Sequence, residues 1–203
     1  MSGAGSFVAV AVGMTPGVYT TAEDAKAAVG DHPLPLAVPC KSASAAHEFV
    51  NKFTDACAVV YTDGACKANG KPGAVAGVGV YWGPDDPRNV SRRVRGSPST
   101  NNVAELEGIE DAIDAIVADA ALTCRRVVIV SDSKYSIDCL TTWYDGYCRR
   151  GWVTTKGDPV MNQEMIRRIH AKLTPNIVFA HIRGHMDHIG NIMADKLATS
   201  ACV

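Results

Sequence analysis

The chain has 203 residues, 47% of them hydrophobic, with Lys+Arg 20 against Asp+Glu 21 and a formal net charge of −1 at pH 7. That is enough apolar content for a real core, with room for one domain of ordinary size beside a small one. The charge balance excludes polyanion binding through the overall field, so any nucleic-acid contact must come from local patches. The cysteines (Cys40, Cys57, Cys66, Cys124, Cys139, Cys148, Cys202) are odd in number and form no CxxC pair. They read as free thiols in a reducing compartment. No apolar run reaches membrane-spanning length, and the start lacks the basic segment of a signal peptide and the Arg-rich character of a transit peptide. The expectation is an intracellular protein, nuclear or cytoplasmic, with no membrane contact.

Phe7 to Val12 is apolar on both sides and reads as a strand; Val18-Tyr19-Thr20 returns as a second. Thr20 or Thr21 caps a helix through Ala22–Val29, with Glu23 and Asp24 in its first turn. Gly30 and the cluster Pro33, Pro35 and Pro39 end it, and a second helix runs from Ser44 to Phe53. Residues 1–53 thus form a small unit, too small to be very stable alone. Residues 54–57 are a short linker that keeps it close to the larger domain.

The pattern Phe7-x-Ala9-Val10, Gly13, Gly17-Val18-Tyr19-Thr20-Thr21, Ala25, then Ala45-Ala46 and Phe49-Val50, resembles the hybrid-binding domain at the N-terminus of many eukaryotic ribonucleases H. Val12, Gly13 and Met14 stand where that domain carries basic residues. Ala22 replaces its tryptophan, and Val38-Pro39-Cys40 replaces its Lys-rich third strand. The resemblance therefore implies the small α/β fold with its grip on phosphate and sugar largely altered. The two-sided apolar first strand leaves two readings open. One is a protein contact, such as self-association through residues 1–53. The other is packing of Val8, Val10 and Val12 on the neighbouring domain.

Residues 58–203 hold the main domain. Ala58–Thr62 is a strand that ends at Asp63-Gly64, a carboxylate at a strand tip. Ala74–Trp82 and Asn89–Arg95 continue as an antiparallel meander. Ser99 to Asn102 is a helix-capping cluster before Val103, Leu106, Ile109, Ile113, Ile116 and Val117, which recur at helical spacing with Glu105 in the first turn. Val127–Val130 reads as a strand buried on both faces, ending at Asp132. A helix with Tyr135, Ile137 and Leu140 comes next, then the aromatic and basic stretch Trp143–Trp152 with Arg149 and Arg150. Val160–Leu173 is a helix, Ile177–Ile182 a strand, and Arg183-Gly184-His185 a loop. The last helix runs from about His188 to Thr199, with Asp195 one to two turns inside.

Asp63, Glu105, Asp132 and Asp195 each occupy a strand end or an early helical position. Any one alone is more commonly a turn residue or a solvated group. Four in this order of elements are different, because clustered carboxylates repel one another unless cations neutralise them. Hard oxygen ligands with open positions suit Mg²⁺, and two such ions about 4 Å apart clamp the attacking and leaving oxygens in phosphodiester hydrolysis.

Tyr61-Thr62-Asp63-Gly64-Ala65-Cys66 with Asn69-Gly70, Thr100-Asn101-Asn102-x-Ala104-Glu105-Leu106, Ser131-Asp132-Ser133, and Gly184-His185 with Gly190-Asn191-x-x-Ala194-Asp195-x-Leu197-Ala198 resemble the full motif set of type 1 ribonuclease H. The resemblance implies an α/β fold, a five-stranded mixed sheet flanked by helices. It implies an endonuclease that hydrolyses the RNA strand of RNA/DNA hybrids and leaves 5′-phosphate and 3′-hydroxyl ends. Asp63, Glu105, Asp132 and Asp195 match the metal-binding carboxylates, for two Mg²⁺ with Mn²⁺ as an alternative that composition does not rank. His185 matches the histidine linked to proton transfer or product release, a role that suits an imidazole. Asn69, Asn101 and Asn102 match side chains that read RNA 2′-hydroxyls. Cys66, Thr155, and the phosphate-pocket pair Thr100 and Asn162 match further substrate contacts, with Pro98 where that pocket carries an arginine. Trp143 is in place in the DNA-strand channel, and Tyr147 stands where a tryptophan is common. Two other readings compete: a non-catalytic hybrid-binding scaffold, which would normally lose a carboxylate, and a transposase- or integrase-like relative, which typically lacks Asn101-Asn102 and the Gly184-His185 loop.

Overall fold

A computed structural model describes residues 7–53, 55–56, 58–184 and 188–203. β1 (Phe7–Val12) is the middle strand of a three-stranded antiparallel sheet, between β2 (Gly17–Tyr19) and β3 (Leu36–Cys40). Thr21 caps α1 (Ala22–Val29) by accepting the Asp24 amide, and Glu23 and Asp24 lie at the positive end of the helix. β3 covers the Val38-Pro39-Cys40 position that the resemblance gives to a third strand, and it starts earlier, at Leu36. Pro39 pairs opposite Val8, and the missing N–H is tolerated because β3 is an edge strand. α2 (Ala43–Phe53) starts where the Ser42 hydroxyl accepts the Ala45 amide.

The two faces of this small sheet are covered differently. Val8, Val10 and Tyr19 pack with Ala25, Ala28 and Val29 of α1. Ala11, Val12, Leu36 and Val38 join Phe49 and Phe53 of α2 in a cluster that continues into the second sheet. Of the three valines expected to meet either a protein partner or the neighbouring unit, only Val12 reaches that unit. α1 takes the other two.

The second sheet has the order β6-β5-β4-β7-β8. β4 (Ala58–Lys67), β5 (Val75–Tyr81) and β6 (Val90–Arg93) form the antiparallel meander; β7 (Val127–Ser131) and β8 (Ile177–His181) run parallel to β4. α3 (Asn101–Ala118), α4 (Ala120–Thr123), α5 (Lys134–Leu140), α6 (Tyr144–Arg149), α7 (Gln163–His170) and α8 (Ile189–Ser200) complete the chain. On one face Leu106, Ile109, Ile113 and Ile116 of α3 bury Val60, Val78, Val80 and Ile129, with Ile166 and Ile169 of α7 behind them. On the other face α8 shares the cover with the N-terminal unit: Ala194 and Leu197 pack with Tyr61 and Tyr81, and so do Leu34, Leu36 and Phe53. Removing this much apolar surface from water is what fixes the two units together.

Three local expectations need correction. β4 does not stop at Asp63; it runs on to Lys67, paired with β5, and Asp63 sits opposite Gly79. What ends there is the parallel ladder to β7, whose last pair is Thr62 with Ser131. The stretch after Trp143 contains α6, which the mixed aromatic and basic pattern hides. α7 starts later than Val160, because Asn162 holds a left-handed backbone with φ 58°. Among the described residues no helix is long and apolar enough to cross a membrane.

Candidate active site

β4, α3 and β7 bring Asp63, Glu105 and Asp132 to one point, where one oxygen of each lies within 4.8 Å of the others. The sheet sets this directly. β7 ends at Ser131 beside Thr62, so Asp132 emerges next to Asp63 at the place where the parallel ladder opens. Thr100 fixes the start of α3, its hydroxyl accepting the Val103 amide at 3.3 Å. Glu105 therefore lies one turn inside the helix rather than in its first turn, on the side facing β4. Gly64 lets the helix come in this close, since a Cβ on it would stand 2.6 Å from the Glu105 backbone nitrogen.

The group is short of compensation. Asp63 is 7% exposed. Burial, and then the charge of Asp132, pushes its carboxyl up to about 7, against the pull of the Gly64 amide that donates to Oδ1 at 2.8 Å. Burial also raises Glu105 well above the usual carboxylate range, helped by Asp63 and Asp132. The Asn101 side-chain amide donates to Glu105 Oε1 at 3.4 Å, while the buried Oε2 has no partner among the described residues. A buried acceptor left unpaired is costly, and three acceptor-only groups in one place demand a cation or a proton. The donor set is hard oxygen throughout and fits a divalent cation of the Mg²⁺ class.

Asp195 is exposed on α8 and lies outside this trio, with the Thr199 hydroxyl 3.4 Å from its Oδ1. Its charge still raises the Asp63 carboxyl, so it stands on the flank of the same site. His185 falls outside the described residues. Asn191 is a component that sequence reasoning places in a motif without a task. It is buried, its amide reaches Asp132 Oδ2 at 3.5 Å, and its own Oδ1 has no partner among the described residues. The signal was available: a polar residue between Gly190 and Ala194, on the side of α8 that is buried.

The remaining candidates form a surface around the trio. Asn69 Oδ1 accepts the Asn101 backbone amide at 3.2 Å, tying the turn after β4 to the start of α3. Asn102 is exposed, and the Cys66 thiol faces the Ser99 carbonyl at 3.6 Å. Asn162 donates to the Tyr135 hydroxyl at 3.4 Å, and Thr155 is exposed in the turn after Trp152. Trp143 is 38% exposed, with its ring edge-on to Tyr135 and Tyr147. Tyr147 is in the core, against Trp152 and Arg150. Of the expected stacking pair, Trp143 alone presents an open ring. Burial of Tyr147 reflects its place on the inner side of α6, a helix that the sequence pattern conceals.

The RNase H family profile matches residues 55–203. Ribonuclease H of Schizosaccharomyces pombe is 43% identical over 141 residues, covering 69% of this chain and 51% of that protein. Ribonuclease H1 of Mus musculus is 40% identical over 142 residues, covering 69% of this chain and 48% of that protein. The chain thus spans about half the length of these curated relatives. Among solved structures, LC9-RNase H1, described as a type 1 RNase H with the type 2 active-site motif, superposes with a TM-score of 0.53 at 28% identity, covering 71% of each chain. With the carboxylate trio at the mouth of a β6-β5-β4-β7-β8 sheet and the profile match over residues 55–203, the chain belongs to the RNase H family.

Proposed function

We propose that this chain is a type 1 ribonuclease H, an endonuclease that hydrolyses the RNA strand of RNA/DNA hybrids. The observation that carries the reading is the trio Asp63, Glu105 and Asp132, with Glu105 Oε2 buried and unpartnered beside Asn101. Family membership and the names of the relatives, Ribonuclease H and Ribonuclease H1, support it. Asp63, Glu105 and Asp132 would hold divalent cations, Mg²⁺ first among them, with Asp195 on the open flank. Cations bound there supply Lewis acidity for water attack on a phosphodiester, the two-metal chemistry that leaves 5′-phosphate and 3′-hydroxyl ends.

The chain's own residues divide the rest of the work. Asn69, Asn101 and Asn102 line the start of α3 and recognise 2′-hydroxyls on the RNA strand. Trp143 offers a stacking face to the DNA strand, with Thr100, Asn162, Cys66 and Thr155 as further contacts. His185 moves a proton or helps release the product. Residues 1–53 are a hybrid-binding-like unit whose grip is altered at Val12, Gly13, Met14 and Ala22. Self-association through this unit has little to rest on, because α1 covers Val8 and Val10.

Replacing Asp132→Asn tests the assignment. The expected result is loss of hybrid cleavage in Mg²⁺ with the fold intact by circular dichroism. Turnover at the parent rate rejects the metal role of the trio.

A further inference from the structure

Tyr61 is fully buried in the middle of β4, and it touches both units. Its hydroxyl donates to the Pro35 carbonyl in the segment that leads into β3. Leu34 and Leu36 on either side of Pro35 pack in the same cluster as the Tyr61 ring, with Phe53 of α2. At the other side the ring lies flat against the start of α8. A Cβ on Gly190 would stand 2.2 Å from the ring carbons, so backbone and ring meet directly there. The next residue, Asn191, carries the amide that reaches Asp132 Oδ2. A second tie holds the units in register: Arg126 Nη1 donates to the Lys52 carbonyl at 3.0 Å and to Asp55 Oδ1 at 2.8 Å.

We infer that residues 7–53 are a fixed buttress of the catalytic centre, and that Tyr61 is the positioning residue joining Pro35 on one side to Gly190, Asn191 and hence Asp132 on the other. Parallel contacts of this kind transmit position because a packed interior deforms little. The N-terminal unit then acts on turnover through the placement of α8, in addition to any contact it makes with substrate. The effect on turnover rests on the proposed hydrolysis; the effect on α8 does not.

The test uses the full chain with Tyr61→Phe, which keeps the ring and removes only the hydroxyl, and with Leu36→Ala, which loosens the docked unit from its own side. Hydrogen exchange at residues 189–193, kcat and KM on an RNA/DNA hybrid, and the melting temperature are measured together, with assays run well below melting. The expected result for both variants is faster exchange at residues 189–193 with residues 103–116 still protected. kcat should fall ~10-fold, as misplacement of a reacting group can produce, while KM stays within about twofold. A purely structural role would lower the melting temperature and leave kcat and local exchange alone, and that result overturns the inference. Unchanged exchange at residues 189–193 overturns it as well. If the parent cleaves no hybrid, the functional reading fails, and the exchange data alone still decide whether the N-terminal unit positions α8.

Discussion

Gly64 and Glu105 approach so closely that a Cβ on Gly64 would stand 2.6 Å from the Glu105 backbone nitrogen and 2.9 Å from the Ala104 carbonyl carbon. Two of the atoms it would meet are backbone and the third is the Ala104 Cβ, so nothing can rotate out of the way. A methyl group at position 64 must push α3 away from β4 and move Glu105 with it. Gly64→Ala is expected to lower kcat on a hybrid ~100-fold and to cost about 1–3 kcal/mol of stability by overpacking. Turnover and denaturant melts check both. Parent-level kcat in the variant contradicts this account of Gly64.

Glu105 sets stability against function. Its carboxyl is raised well above the ordinary 4.5 and that of Asp63 to about 7, so folding favours the protonated forms. The folded protein then binds more protons than the unfolded chain, and cation-free stability falls as pH climbs from the ordinary carboxylate range through about 7. Glu105→Gln removes one of the charges. It is expected to raise the cation-free melting temperature at pH 8, with little gain at pH 5, while abolishing turnover and the stabilisation by added Mg²⁺. A lower melting temperature at pH 8 contradicts it.

Glu110 obeys the opposite sign. It is buried on α3, where Arg168 Nε and Nη2 and Lys172 Nζ each reach it at 2.8 Å. The Arg168 hydrogen bonds, chiefly, hold its carboxyl down at about 2. Its contribution is present above the ordinary 4.5 and is lost as pH falls through about 2. Arg168→Met leaves Lys172 as the single partner and is expected to cost about 2 kcal/mol at pH 7, below the full penalty for an unpaired buried charge. The gap to the parent should narrow as pH falls below 4.5, which denaturant melts at pH 7 and pH 3 would show. A gap that widens in acid rejects the assignment.

Much of the basic side-chain complement is already engaged. Arg167 lies over Trp152, Arg150 donates to the Val153 carbonyl, and Arg92 and Arg95 pair with Glu107 and Asp111. Side chains held in this way are less free to displace counterions from a hybrid. Affinity is expected to fall less steeply with salt than for a strongly basic relative, with a slope reporting only a few phosphate contacts. A slope as steep as that of such a relative contradicts this.

The sequence makes the architecture legible where side-chain pattern and backbone agree. The β-branched run Val127–Val130, the capped periodic helix after Thr100 and the glycine-punctuated meander all read directly. Asp63 is misread as a strand tip because Asp-Gly is a common turn pair, and only the pairing with β5 carries the strand onward. β3 has no clear pattern of its own among the prolines, which an edge strand tolerates; the resemblance alone points to a strand at Val38-Pro39-Cys40. Tyr147 enters as a substrate contact through the resemblance alone; its burial against Trp152 depends on which side of α6 packs inward, which has no local signature. The docking of residues 7–53 on the catalytic sheet, through Leu34, Leu36 and Tyr61, is a tertiary contact with no local signature.

The most direct test is cleavage of a labelled RNA/DNA hybrid in Mg²⁺, beside duplex RNA, duplex DNA and single strands, using the full chain. Cleavage confined to the RNA strand of the hybrid, with 5′-phosphate and 3′-hydroxyl ends, is the expected result. No cleavage of the hybrid, or equal cleavage of duplex DNA, contradicts the assignment of Asp63, Glu105 and Asp132 to RNA-strand hydrolysis.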